Sequence, residues 1–440
     1  MTYAALIYSH SITPRLEYIV DFLSRYYGLS FKLIPDEESF VKSAIACKIN
    51  YSYHKIADSE IWIHPHALLF ESAIHHVKAE CFQHKHYKAF FKIEGDIEFD
   101  LLAALFYLIT RYEEYLPHKK DMYGRYAHEN SLAFQEGFLQ APLVNIWLED
   151  FRKVLSEKNA QFSLQTPQFS FVPTYDIDMA WSFRNKGFKR NAGAILKLFF
   201  TGRWRDLSER VRVLRNKRQD PFDAYKWMDE LHQQSGLHPV YFFLVAHQRG
   251  KYDKNIDIAN AAFKQLIQDI AAKYKTALHP SWASGDEHAL LTKEKAWLEQ
   301  LIKHPITSSR QHFIRFDLPS TYRNLLAAGI TNDYSMGYGS INGFRASIAS
   351  SYYWYDLKKE EQTGLLIHPF CFMDANSYYE QNFSAEEALE EMVQYYQTIK
   401  QVNGTMITIW HNSFLGTCNE FEGWREVYQQ FITLVSKNII

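Results

Sequence analysis

Two carboxylates one residue apart, Asp176 and Asp178, end the apolar run FVPTYDID, and imidazoles follow later apolar runs at His279, His312 and His411. Asp and His together supply the oxygen and nitrogen ligands that Zn²⁺ or a similar divalent ion accepts, with a position left open for water. Water on such an ion becomes acidic near neutral pH. A neighbouring carboxylate can then complete its deprotonation while the metal polarises a carbonyl oxygen. A separate histidine on the far side can protonate the departing group. The reaction class these residues suit is metal-assisted hydrolysis of an amide or ester.

Such groups must be carried to one place, and the pattern after residue 168 indicates how. Apolar runs predict strands at Phe169 to Tyr175, Pro239 to Val245, Lys275 to Leu278, Ile306 to Ser309, Gly329 to Asn332, Leu365 to Phe372 and Thr405 to Trp410. Helix-like segments lie between them, at Pro221 to Gln234, Ile256 to Tyr274, Thr292 to Lys303, Ser320 to Ala328 and Ser384 to Val402. The last opens with the capping-box pair Ser384 and Glu387 and stops at Asn403-Gly404. Alternating strands and helices imply a parallel sheet, here a distorted (β/α) barrel of about seven strands. In such barrels chemistry gathers where the strands end. The strand ends carry Asp176 and Asp178, then His279, then Arg310-Gln311-His312, then Asp333, and finally Trp410-His411-Asn412. Any one of these is more often a cap than a catalyst; their convergence on one rim is the signal.

In order and placement these residues resemble the NodB-type polysaccharide deacetylases, carbohydrate esterase family four. Thr174 to Asp178 is similar to the family's Thr-aromatic-Asp-Asp run, with one residue inserted between the acids. His279-Pro280-Ser281-Trp282-Ala283 matches the family's His-Ser/Thr-x-x-His motif only in part. Arg310-Gln311-His312-Phe313 resembles an Arg-x-Pro-aromatic motif with His in place of Pro, and ITIWHN resembles the final strand that ends in a catalytic His. The resemblance covers about Phe169 to the C-terminus. It implies removal of an N- or O-acetyl group from a carbohydrate, with Asp176 as general base, Arg310 orienting it, His411 as general acid, and Asp178 and His279 holding a divalent ion, Zn²⁺ by preference. Because position 283 is Ala, the second family histidine is missing. His312 completes the set, or Ser281, Ser284 or water completes a weaker one, or the metal has been lost. The inserted Ile177 also leaves open an exchange of roles between Asp176 and Asp178. Substrate contacts are expected from Trp282 and Trp410 by stacking, from Tyr338 and Arg345 by hydrogen bonding, and from Asp374. A degenerate, non-catalytic carbohydrate binder and a hydrolase of a non-sugar amide are the rival readings.

The first part of the chain is expected to be a smaller α/β domain, residues 1–165, with the barrel over 166–440 and a polar boundary from Ser156 to Gln168. Its segment Phe99 to Tyr115 reads as a helix with one buried face. The region with FYLITRYEEYL and Gly124-Arg125 resembles the uncharacterised domain that precedes divergent bacterial deacetylases. His64, His66, His75, His76, His84 and His86 lack carboxylates at ligand spacing and read as ordinary histidines.

Composition excludes several other functions. Forty-eight basic and fifty acidic residues leave a formal charge of −2, so no global field favours nucleic acid. The basic run Arg203 to Arg218 reads as a solvated helix face. Glycines 337, 339 and 343 follow no phosphate-loop pattern. Four dispersed cysteines form no CxxC pair and read as buried thiols. No apolar run reaches the length of a membrane span, so a cytoplasmic protein is expected. Aromatic residues, 16% of the chain, suit both a core and sugar faces. The oligomeric state is not legible.

Overall fold

The protein is described by a computed structural model covering residues 5–158, 164–165 and 167–437. The expected boundary Ser156 to Gln168 lies partly outside the described residues, at 159–163 and 166. Near the N-terminus a parallel four-stranded sheet runs β2-β1-β3-β4, with β1 Ala5–Tyr8, β2 Phe31–Ile34, β3 Cys47–Tyr51 and β4 Ile61–Ile63. A small antiparallel hairpin follows, β5 Phe82–His84 with β6 Tyr87–Ala89.

The larger sheet is built from β7 Ser170–Ile177, β8 Val240–Leu244, β9 Lys275–His279, β10 Ser308–Ser309, β11 Asn332–Asp333, β12 Tyr352–Asp356, β13 Glu361–Ile367, β14 Phe372–Met373 and β15 Thr405–His411. Its order is β12-β13-β11-β10-β9-β8-β7-β15-β14, and every pairing except β12 with β13 is parallel. The sheet is rolled. Phe242 on β8 and Tyr334 just beyond β11 bring their rings to 5.3 Å, whereas three strand spacings in a flat sheet would keep them about 14 Å apart. The roll does not close by strand pairing. Between β13 and β14 the gap is bridged by the loop after β11: Phe370 N–H donates to the Met336 carbonyl, Gly343 N–H to the Cys371 carbonyl, and Met373 N–H to Asn342 Oδ1. The architecture is thus α/β, a distorted, seamed (β/α) barrel preceded by a smaller α/β sheet.

Two departures from the sequence reading have plain causes. The expected strand Leu365 to Phe372 is split into β13 and β14, because Pro369 has no N–H to give to a ladder. The antiparallel strand β12 was not anticipated; the polar turn Lys358-Lys359-Glu360 folds it back on β13. Edge strands need a cover, and the N-terminal helix Pro14–Tyr27 provides one. Tyr18 Oη donates to the Tyr353 carbonyl, and the buried Arg15 binds Glu360 through Nε and Nη2.

The helix expected over Phe99 to Tyr115 spans Leu101–Ile109 and is buried on all sides rather than on one face. It lies against the helices Pro14–Tyr27 and Leu143–Lys158, and it breaks at Arg111, whose φ of 55° lies in the left-handed region. At the other end of the chain the helix Ala385–Gln401 carries the reciprocal Ser384 and Glu387 cap. One continuous apolar core runs through both sheets.

Candidate functional site

Alternation along β7 explains the spacing of the two acids. Side chains two apart in a strand share a face, so Thr174 and Asp176 point into the barrel while Tyr175 and Ile177 point out. Tyr175 is wedged among His232, Tyr241 and Tyr428. The inserted Ile177 therefore keeps Asp178 on the inner side with Asp176. On β15 the register sets His411 opposite Asp176 and Trp410 opposite Tyr175.

The inward residues converge. Arg310 Nη1 donates to Asp176 Oδ1 at 2.8 Å, and its Nε donates to the Tyr334 carbonyl. Asp178 Oδ1 lies 3.1 Å from His279 Nε2, and Asp178 Oδ2 lies 3.5 Å from both His312 Nε2 and His411 Nε2. One ligand atom from each of Asp178, His279 and His312 falls within 4.8 Å of the others, and no other group of metal-ligand type comes together among the described residues. The six N-terminal histidines accordingly take no part.

Three features show that this trio fits a divalent cation. Both imidazoles turn Nε2 inward while their Nδ1 atoms are held from behind, His279 by the Arg310 carbonyl at 2.6 Å and His312 by Asp253 Oδ1 at 3.0 Å. That outer arrangement is what orients ligating histidines in metalloproteins. Asp178 Oδ1 is buried and makes no aligned hydrogen bond, although His279 Nε2 stands 3.1 Å from it. The local field also favours positive charge: burial acts to lower His312, but Asp178 and Asp253 outweigh it and raise the group to about 9. Burial alone would raise Asp178; His312 and His279 overcome it and hold the carboxyl well below its ordinary range.

Beside the trio, on the strand paired with β7, stands His411. Its Nδ1 is 2.6 Å from Asp374 Oδ1, and its backbone N–H donates to Asp374 Oδ2. Burial disfavours the imidazolium, but the Asp374 charge and hydrogen bond prevail and push His411 up to about 10.

These groups open into a cavity of about 410 Å³ lined also by Tyr123, Arg125, Gln311, Phe313, Tyr379 and Phe414. Tyr123 and Arg125 come from the N-terminal part of the chain. Arg125 Nη1 donates to the Phe313 carbonyl, and its Nε is fixed by Asp121. Gly339 makes room for it, since a Cβ there would meet Arg125 Nη1 at 2.0 Å. The chain beyond His312 is strained, with non-glycine φ values of 58° at Phe313 and 53° at Ile314.

All five of the expected substrate contacts are corrected. Trp410 points outward and is fully buried against Phe372, Trp424 and Tyr428, so it offers no face to a sugar. Trp282 lies behind the cavity wall, stacked on Tyr252 at 4.1 Å and covered by Arg315. Arg345 and Tyr338 are buried: Arg345 is bound in a fork by Glu114, and Tyr338 Oη accepts from Arg111. Asp374 is fully buried and spends its oxygens on His411 and the Ala375 N–H. Asp333 caps the Ser335 backbone away from the cavity. Ser284 binds the Ser281 carbonyl. Asp253, Tyr123 and Arg125 were not singled out for the site; only the Tyr-Gly-Arg turn at 123–125, with Gly124 at φ 75°, left a mark in the sequence.

The network of Arg111, Glu113, Glu114 and Arg345 anchors the loop after β11 to the N-terminal part. Burial tends to raise Glu114, but Arg345 and Arg111 dominate and hold it at about 2. A carboxyl held below its unfolded value of 4.5 contributes stability that is complete above that value and fades as pH falls toward 2. Glu113 opposes it, because burial raises that group despite Arg111. Glu114→Gln is therefore expected to lower stability at neutral pH by about 3 kcal/mol, by stranding buried Arg345. It is also expected to flatten the acid limb below pH 4.5, both read by urea unfolding across pH. Equal wild-type and variant curves would remove the anchor role.

Comparison with known proteins matches residues 5–160 to a family of unknown function, DUF7033. Among curated proteins none matches the chain. Solved structures similar to it include one from Mycobacterium smegmatis provisionally described as a polysaccharide deacetylase, 14% identical, with a TM-score of 0.40, covering 62% of this chain and 85% of that one. One from Pseudomonas aeruginosa PAO1, likewise provisionally named a polysaccharide deacetylase, is 10% identical with a TM-score of 0.39, covering 61% and 85%. An allantoinase is 12% identical with a TM-score of 0.37, covering 61% and 84%.

Proposed function

We propose that the chain is a hydrolase that removes an acetyl group from a carbohydrate, by N- or O-deacetylation, with a divalent cation, Zn²⁺ by its donor set, held by Asp178, His279 and His312. The observation that supports this most is the inward turn of two Nε2 atoms onto the Asp178 carboxylate, with both rings fixed from behind. The bound cation would supply charge stabilisation for a carbonyl oxygen and acidity for a water.

The chain's own residues would do the rest. Asp176, restrained by Arg310, is placed to take a proton from the attacking water. His411, held by Asp374 on the strand beside Asp176, would protonate the leaving amine or alcohol. Tyr123, Phe313, Tyr379 and Phe414 line the cavity and give apolar faces for a sugar ring. We assign residues 1–165 and 166–440 as two domains, the first supplying a wall of the cavity through Tyr123 and Arg125. Four unpaired cysteines suit a reducing compartment, the cytoplasm.

Ala283 at the position of the missing histidine favours one second reading, a carbohydrate binder without turnover. Acetate release from a panel of N- and O-acetylated oligosaccharides by the Zn²⁺-loaded protein decides between them. Release that falls when the cation is chelated is expected; glycan binding with no acetate released would support the binder.

A further inference from the structure

Between β7 and the helix Tyr225–Ser235 the chain inserts a pair of helices, Phe188–Phe200 and Trp204–Leu214, that hardly touch the barrel. Only Asn191 in the first and Val213 in the second are buried. The pair starts ten residues after Asp178, and its stem is held by the buried Asp220 carboxylate, which accepts the N–H groups of Ser182, Phe183 and Arg184, and by Asn255 and Asn260, which bind Ala180 and Asn185.

Its surface is unlike the rest of the molecule. Phe188 is 88% exposed, Phe200 80% and Trp204 58%, with Leu196 and Phe199 also more than half exposed. Phe188, Ala192, Leu196 and Phe199 are spaced by four, four and three residues, which puts them on one face of their helix. Trp204 extends that face from the second helix, its ring 5.2 Å from Phe199. Residues 184–218 hold twelve Lys and Arg against Asp206 and Glu209, a charge of +10 in a chain that totals −2, so the remainder carries −12.

We infer that this helix pair is a docking element for an anionic lipid bilayer, lying in the interface with its aromatic face inserted and its basic residues at the headgroups. Clustered Phe, Leu and Trp beside Lys and Arg on helices of low overall burial are what interfacial binding needs. The charge selects anionic lipid, since juxtamembrane basic residues are each attracted to such a surface. A duplex nucleic acid would use the charge but leave the Phe and Leu face in water, and a second copy packed face to face would meet the same +10 surface. No described helix is long and apolar enough to cross a membrane, so the element lies on the bilayer. Because the stem leaves from the Asp178 loop, docking brings the barrel mouth to the membrane surface. The inference does not depend on the chemistry at that mouth.

The test is flotation of the full chain with phosphatidylcholine vesicles, with and without phosphatidylglycerol. Binding at least about tenfold tighter to the phosphatidylglycerol vesicles, and weakened by added salt, is expected. The exposed-residue variant Phe188→Ser/Phe200→Ser/Trp204→Ser and the charge variant Arg205→Glu/Arg212→Glu/Lys217→Glu are each expected to lose about tenfold or more. Both alter exposed side chains, so unchanged unfolding curves serve as the control. Equal binding to neutral vesicles, no binding to either, or wild-type affinity in both variants would overturn the inference. So would retention of duplex nucleic acid or concentration-dependent dimers in place of vesicle binding.

Discussion

Alanine at position 279 is expected to abolish stoichiometric Zn²⁺ retention and to lower acetate release by about 10³-fold, the order of the charge stabilisation a bound cation provides. His279 is 1% exposed, with its Nδ1 on the Arg310 carbonyl and its Nε2 on Asp178. Its own loop offers no substitute: Ser281 Oγ accepts from the Ser284 N–H, and position 283 is Ala. Metal analysis after gel filtration checks the first half and kinetics the second. The paired variant Asp253→Asn separates a ligand from its support. It is expected to weaken Zn²⁺ affinity by about 10–100-fold without abolishing it, as loss of an outer hydrogen bond does. A His279→Ala protein that retains one Zn²⁺ per chain would refute the assignment.

The second large effect concerns His411, on the strand beside Asp176 and Asp178. His411→Ala is expected to reduce kcat by about 10²–10⁴-fold while Zn²⁺ stoichiometry stays at one, because a general acid is lost and a cation site is not. Asp374→Asn should reduce kcat in the same direction, since the carboxylate accepts from both the ring and the backbone of His411. A leaving group that needs no proton discriminates between roles. With an acetylated phenol of low pKa, His411→Ala should recover most of the lost rate. Equal loss on both substrates would show that His411 acts elsewhere than on the leaving group.

Much of the barrel was legible because its strands are short apolar runs that end in polar groups, and a parallel sheet sends all those ends the same way. Asp176, His279, Arg310 and His411 could be read as one rim for that reason. Strand parity carried more than was taken from it: if His411 points inward, Trp410 next to it must point outward, as its packing on Tyr428 and Trp424 bears out. Other residues were not legible at all. Arg345 reads as an exposed binding residue until Glu114 is placed on it from 231 positions away. Asp253 sits in a loop without apolar periodicity and acquires meaning only when His312 turns its Nδ1 toward it. Tyr123 and Arg125 reach the cavity by packing between parts of the chain that no local pattern connects. In the helix pair after Asp178 the charge run was visible, while the exposure of Phe188, Phe200 and Trp204 beside it was not.

Anomalous diffraction at the zinc edge from crystals of the Zn²⁺-loaded full chain tests the central claim most directly. One peak is expected, about 2 Å from His279 Nε2, His312 Nε2 and an Asp178 oxygen. A peak elsewhere, or one at this site that His312 does not touch, would contradict it.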